Sequence, residues 1–397
     1  MPGNPQFSYF LLSSNHPVTK ESTPWESPLP LRRHLFLKKE TADKDLSVSH
    51  GSYFLAIRTF LEQNGFEIIT SAVYQRFNRN IKPDDIEEIR ICLEKHGEFY
   101  HPSRIETVVS GAAIPFVVNV AVSHSGKKLI RREYQFLQRL NRNFPNSFIP
   151  KVYAQGDVST TGNQPRLRMF LGEWFDGFNE FHISRDKADE KRKLAVWDPA
   201  HGNFFLPPDL AATLYTQAAM ILTYYYNIET FEQISLWHHA AGDFVIKLEE
   251  GKIAVKLITV RQYAPLFEPG DIEDEGPDVE RVLEAMLIFL LNLTIRMRLD
   301  RQDGTGEMVW SDNVAVEGAL KGFFRGLALQ AKSGRCPEVF VDYFRSYLLL
   351  CTENDLLDLS RAIADKYSPR APEFPVVKEN LKPHVKVLYT IIKKENS

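Results

Sequence analysis

The sequence predicts a bilobal α+β fold: a small antiparallel β-sheet carrying one helix, then a mainly helical part containing one short β-hairpin. Three observations predict it. β-Branched and other apolar runs cluster between residues 86 and 174, interrupted by one amphipathic segment at 127–141. From residue 208 onward the apolar period is mainly that of helices. Inside that helical part, Trp237-His238-His239-Ala240-Ala241-Gly242-Asp243 runs straight into apolar Phe244-Val245-Ile246, and a second apolar run, Ile253 to Ile258, follows. A polar loop between apolar segments is where a scaffold presents reactive groups.

In chain order, residues 1–30 are rich in Pro, Ser and Asn, and residues 1–48 read as an extended or disordered arm. Phe7, Tyr9, Phe10, Leu11 and Leu12 are the residues in it suited to docking on a body. Residues 49–85 read as a helical extension: Tyr53, Phe54, Ile57, Phe60 and Leu61 recur at helical spacing, and Gly65 marks a stop. Residues 86–180 read as a β-rich lobe. Its strands are Ile86 to Leu93, Phe99 to Val109, Ile114 to Val122, a short run at 152–154, and 168–174. Its helix turns Leu129, Ile130, Tyr134, Leu137 and Leu140 to one face and basic residues to the other. Residues 181–397 read as the helical lobe. Ser184 to Leu206 is expected to be irregular. Helices are expected over 208–227, 278–298 and within 315–367, and a Pro-punctuated connector leads to a basic C-terminal helix.

Bulk properties narrow the function classes. The net charge of -3 and pI near 6.4 give no electrostatic reason to expect nucleic acid or an anionic membrane. Cys92, Cys336 and Cys351 are odd in number and lack metal spacing, which favours a reducing, cytoplasmic setting. No signal peptide is read at the N-terminus. The most apolar run, 285–291, is interrupted by Asn292 and Arg296 and reads as a buried helix.

The element order, with Gly242-Asp243-Phe244-Val245-Ile246 as its central anchor, resembles the protein-kinase-like fold, and especially its aminoglycoside and choline phosphotransferase branch. The resemblance covers roughly residues 86–365 and implies ATP and Mg²⁺ as cofactors and a small-molecule substrate. On it, the turn carrying Lys95 lies at the nucleotide-covering loop. The third strand lacks the phosphate-binding Lys that the family places there, Asn119 being its only polar side chain, and Glu133 resembles the helix Glu that pairs with that Lys. Glu173 and Trp174 resemble the hinge whose backbone meets adenine. Asp243 falls at a metal-binding Asn position, and His238, five residues earlier, at the catalytic Asp. Thr259 stands where a second metal-binding Asp is expected, and a neutral hydroxyl does not replace that charge. His239, Glu180, His182, Asp198, His201 and Asn203 are candidate substrate contacts. Arg261 is a candidate phosphate contact or a partner of the acidic 271–275 segment.

Three functions follow. One is a divergent phosphotransferase using His238 and Asp243. The second is a pseudokinase-type binding or regulatory protein without turnover. The third is a His/carboxylate metal site built from His238 or His239 with Asp243 and His182 or Glu180; it lacks any HExxH or CxxC pattern. The N-terminal extension is a candidate surface for a protein partner.

Overall fold

A computed structural model describes residues 5–394 except 12, 13, 15, 31–46, 98, 160–164, 236, 238, 239 and 267–278. The fold is mixed α/β, with several small sheets. No helix among the described residues is long and apolar enough to cross a membrane. The chain divides into two compact units, Met1–Asp176 and Gly177–Ser397.

The first unit is built on a six-stranded sheet. Its strands in chain order are β1 (Gln6–Leu11), β2 (Ile86–Leu93), β3 (His101–Val109), β4 (Ala112–Ala121), β5 (Val152–Val158) and β6 (Leu167–Glu173), and their spatial order is β1-β2-β3-β4-β6-β5. Every pairing is antiparallel except β1 with β2. Helices α1 (Thr23–Glu26), α2 (His50–Leu61), α3 (Glu67–Phe77) and α4 (His124–Asn143) complete the unit. Ser49 caps α2 by accepting the Ser52 N–H, and Ser123 caps α4 by accepting that of Gly126. Ile89, Ile91, Leu93, Ile105, Phe116 and Val118 join Phe54, Ile57, Phe60 and Ile69 in one core.

Of the two alternatives for the N-terminal arm, extended or disordered, residues 6–11 take the extended one and join the sheet. Residues 6–11 form β1, with Phe7, Tyr9 and Leu11 packed against that core and Trp25 buried beside them. The reason is a period-2 pattern: Phe7, Tyr9 and Leu11 share one face, while Ser8 on the other bonds Glu88. Pro and Ser enrichment in the surrounding residues masks six residues with strand alternation.

The second unit holds a three-stranded sheet, β7 (Glu180–Arg185), β8 (Arg192–Trp197) and β9 (Phe204–Phe205). Helix α5 (Pro208–Tyr224), strand β10 (Gln233–Ser235), a kinked turn α6 (Ala240–Asp243), the hairpin β11 (Phe244–Glu249) and β12 (Lys252–Leu257), and strand β13 (Gln262–Ala264) follow. Then come α7 (Val279–Arg296), the hairpin β14 (Leu299–Arg301) and β15 (Met308–Trp310), α8 (Val314–Lys332), α9 (Glu338–Leu350), α10 (Glu353–Ala364) and α11 (Glu373–Lys394). The segment expected to be irregular, 184–206, contains the end of β7 and all of β8 and β9, with turns between them. Its polar residues occupy turns and outer positions, while Phe181, Ile183, Leu194 and Val196 are buried. The expected Pro-punctuated connector is the turn at 365–372, and the basic C-terminal helix α11 follows it and runs through Pro383, held by the buried stripe Val377, Leu381, His384, Val385 and Leu388. Tertiary burial outweighs the local cost of a helical proline here.

His384 gives this unit an acid-sensitive point. It is 1 % exposed, its Nε2 lies 3.2 Å from Thr294 Oγ1, and Nδ1 has no hydrogen-bond partner among the described residues. Burial, then the nearby Arg298 charge, pushes its pKa down to about 3. The depressed folded value means that the unfolded chain takes the proton first. Stability is therefore full above pH ~6.5 and falls by about 1.4 kcal/mol per pH unit as the pH drops toward 3. His384→Gln should flatten the denaturant midpoint between pH 6.5 and 4; an unchanged slope would remove His384 as the cause.

Candidate functional site

In the second unit, a kinked turn delivers Asp243 to the base of a hairpin. Gly242 has φ 82°, a conformation that costs little only without a Cβ. Asp243 ends the turn, and its carbonyl accepts the Ile258 N–H at 2.9 Å. Phe244 pairs with Leu257, and the hairpin closes through Glu250 and Gly251, both at positive φ as a tight primed turn requires. The Gln217 side chain clips the hairpin to α5: its Nε2 donates to Ile253 O at 2.6 Å, and its Oε1 accepts from Val255 N–H at 3.2 Å. Asn179 and Ile246 exchange two backbone bonds, at 2.7 and 2.9 Å. Strand β7 thereby joins the hairpin and packs against the turn.

Arg261 Nη1 donates to Asp243 Oδ1 at 2.8 Å, and both side chains are largely shielded from water. The acidic segment 271–275, the other partner expected for Arg261, lies outside the described residues, as do His238 and His239. Thr259 is buried two residues before Arg261.

A second buried polar pair lies on β7. His182 Nδ1 is 3.2 Å from Asp300 Oδ1, and Asp300 also accepts the Ile183 N–H at 2.6 Å and the Arg301 N–H at 2.7 Å. With Asp300 accepting, Nδ1–H is the donor and Nε2 carries the ring lone pair. The ring is enclosed: the Trp197 ring lies tilted against it with centroids 4.6 Å apart, and a Cβ at Gly304 would fall 2.9 Å from Nε2. A carboxylate-oriented imidazole is a competent base where it meets a substrate, but this one is 5 % exposed. Asp300 is separated from His182 by 118 residues, and no short motif marks it.

Glu180 is half-buried at the head of β7, opposite Trp197. Asp198 and His201 close on each other in an exposed turn: Asp198 Oδ1 accepts the Ala200 N–H at 2.8 Å, and His201 Nδ1 lies 2.9 Å from Oδ2. The His201 contact, then the Ala200 bond, lowers the Asp198 pKa. Asn203 is exposed beyond that turn.

Four candidates belong to the first unit. Lys95 is half-buried after β2, and Glu133 is on the buried face of α4. At the expected hinge, the Glu173 N–H donates to Lys151 O at 2.8 Å, and Trp174 O accepts from Arg76 Nη2 at 2.9 Å. Glu173 Oε2 also accepts the Lys151 N–H at 3.2 Å. Half-buried Asn119 on β4 pairs with Phe170 on β6, and Phe170 packs against Tyr134 of α4.

No protein-family model matches this chain, and no curated protein matches it.

Proposed function

We propose that this chain is a kinase-like scaffold that serves as a binding or regulatory protein and does not transfer phosphate. On this reading the first unit is the small lobe and the second the helical lobe. The likeness draws support from a mostly antiparallel sheet with a 20-residue helix inserted between β4 and β5. It draws further support from the Gly242-Asp243 turn leading into a hairpin.

The observation that carries the absence of turnover is the Asp243–Arg261 ion pair. A catalytic carboxylate in such a scaffold neutralises a Mg–nucleotide. Here a guanidinium already supplies the positive charge at Oδ1, and the second ligand position holds Thr259. Among the described residues, no three His, Cys, Asp or Glu side chains are grouped to hold a metal. Asp243 held by Arg261, with Thr259 at the second position, does not fit Mg²⁺, and no phosphoryl-transfer step is assigned to these residues. Two of the backbone groups expected to meet adenine are also engaged within the first unit, by Lys151 and Arg76.

The test is a thermal-shift titration of the wild type and Asp243→Ala with ATP, with and without Mg²⁺. The expected result is no Mg²⁺-dependent rise in Tm. A rise in the wild type that is lost in Asp243→Ala would restore the phosphotransferase reading.

A further inference from the structure

Helix α4 is one-sided in charge. Lys127, Lys128, Arg131, Arg132, Arg139 and Arg142 stand against a single acid, Glu133, and that acid is buried. The helix is therefore net +5 in a chain of net -3, and the rest of the chain carries -8. Ile130, Leu137 and Leu140 are buried, so the helical period fixes which side meets water. Lys128, Arg132, Gln135, Arg139 and Arg142 follow the spacing i, i+4, i+7, i+11, i+14 and form one exposed stripe, with Arg131 beside it. At ~1.5 Å of rise per residue the stripe is ~21 Å long. No acidic, aromatic or aliphatic side chain is exposed on α4.

Helix stability does not call for this arrangement. Lys127 and Lys128 stand at the N-terminal end, where the helix dipole disfavours cations, and the first turn holds no acid. Lys128 repels Arg132 at i+4, and Arg139 repels Arg142 at i+3. The strands packed against α4 do not neutralise the stripe. Their acidic side chains are Asp157 and Glu173. Asp157 is held by Arg168, and Glu173 lies 3.9 Å from Arg76. Among the described residues, Lys128, Arg131, Arg132 and Arg142 have no ion-pair partner.

We propose that the exposed stripe of α4 is a docking surface for an acidic segment of a partner protein, whose carboxylates pair with Lys128, Arg132 and Arg142. Planar guanidinium forks take carboxylates in bidentate geometry. A helix that binds a bilayer lays an apolar face into it, and the apolar face of α4 is buried in the fold. Single-stranded nucleic acid is held by exposed aromatic rings, and α4 exposes none. A duplex or a bilayer also extends well beyond the stripe and would meet the net negative remainder of the chain. A segment of the stripe's own length meets the stripe alone. The surface serves this role whether or not the first unit is a kinase-like lobe.

Fluorescence anisotropy of the full chain with a labelled helical peptide tests this. The peptide carries Glu at the same i, i+4, i+7, i+11, i+14 spacing, and Gln replaces each Glu in its control. At about 0.1 M salt the Glu peptide should bind and the Gln peptide should not. Arg132→Glu with Arg142→Glu should weaken binding at least ~10-fold and should now favour a peptide with Lys in place of Glu. Lys382→Glu with Lys386→Glu makes the same charge change at exposed positions of α11 and should leave binding unchanged. Equal weakening by both double variants would overturn the proposal, as would failure of the Glu peptide to bind. So would tighter binding to duplex DNA or to phosphatidylserine vesicles than to the peptide, which would make the face a general polyanion surface.

Discussion

Arg261→Ala should destabilise the second unit by about 3–5 kcal/mol, the cost of leaving a buried carboxylate without its cation. Asp243 is 4 % exposed, so water cannot take over the role of the guanidinium. The effect belongs to the pair and not to the packing of a long side chain. Asp243→Asn combined with Arg261→Gln should therefore recover much of the loss, because two neutral amides leave no buried charge behind. Denaturant unfolding of the wild type, both single variants and the double variant measures this coupling directly. A double variant as unstable as the sum of the two single variants would mean that the ion pair carries no special energy.

Gly322→Ala is the second large effect. Gly318, Gly322 and Gly326 recur every four residues on α8 and line its contact with α5. A Cβ at 322 would fall on the Thr216 carbonyl oxygen and lie 2.8 Å from Ala219 Cβ; at 326 it would lie 2.8 Å from Met220 O. Backbone atoms cannot rotate away as a flexible side chain does, so the helices must part. Alanine gains about 1 kcal/mol of helix propensity over glycine. Overpacking typically costs about 1–3 kcal/mol and occasionally more, and with backbone as the obstacle the upper end applies. The net expectation is a loss of about 2 kcal/mol and a lower Tm in calorimetry. A Tm at or above that of the wild type would show that propensity wins and that the two helices are not in obligatory contact.

That glycine stripe, a four-residue period within an apolar helix, was not read from the sequence. Other features were legible because a single short window holds them. The β-branched run at 114–122 became β4, and the amphipathic period at 127–141 became α4. Ser49 before an apolar period became the N-cap of α2. The segment 184–206 was not legible, because its strands are short and its buried residues are separated by charged turns. The first strand was hidden by the composition around it.

The site divides along the same line. Gly242-Asp243 leading into apolar residues announces a turn and a hairpin, and the hairpin forms. What the carboxylate does depends on Arg261, and that partner depends on how β12 returns the chain. The acidic 271–275 run offered an equally good partner in sequence terms. His182 was visible as an ionisable residue, but Asp300 became its partner only through the packing of β14 on β7.

Titration of Mn²⁺ into the wild-type protein with ATP, followed by the paramagnetic resonance of free Mn²⁺, tests the central claim most directly. Since Arg261 already neutralises Asp243, the free Mn²⁺ signal should match that of ATP alone at every concentration. A stoichiometric loss of signal beyond that of ATP, abolished by Asp243→Ala, would place a divalent cation at Asp243 and contradict the account.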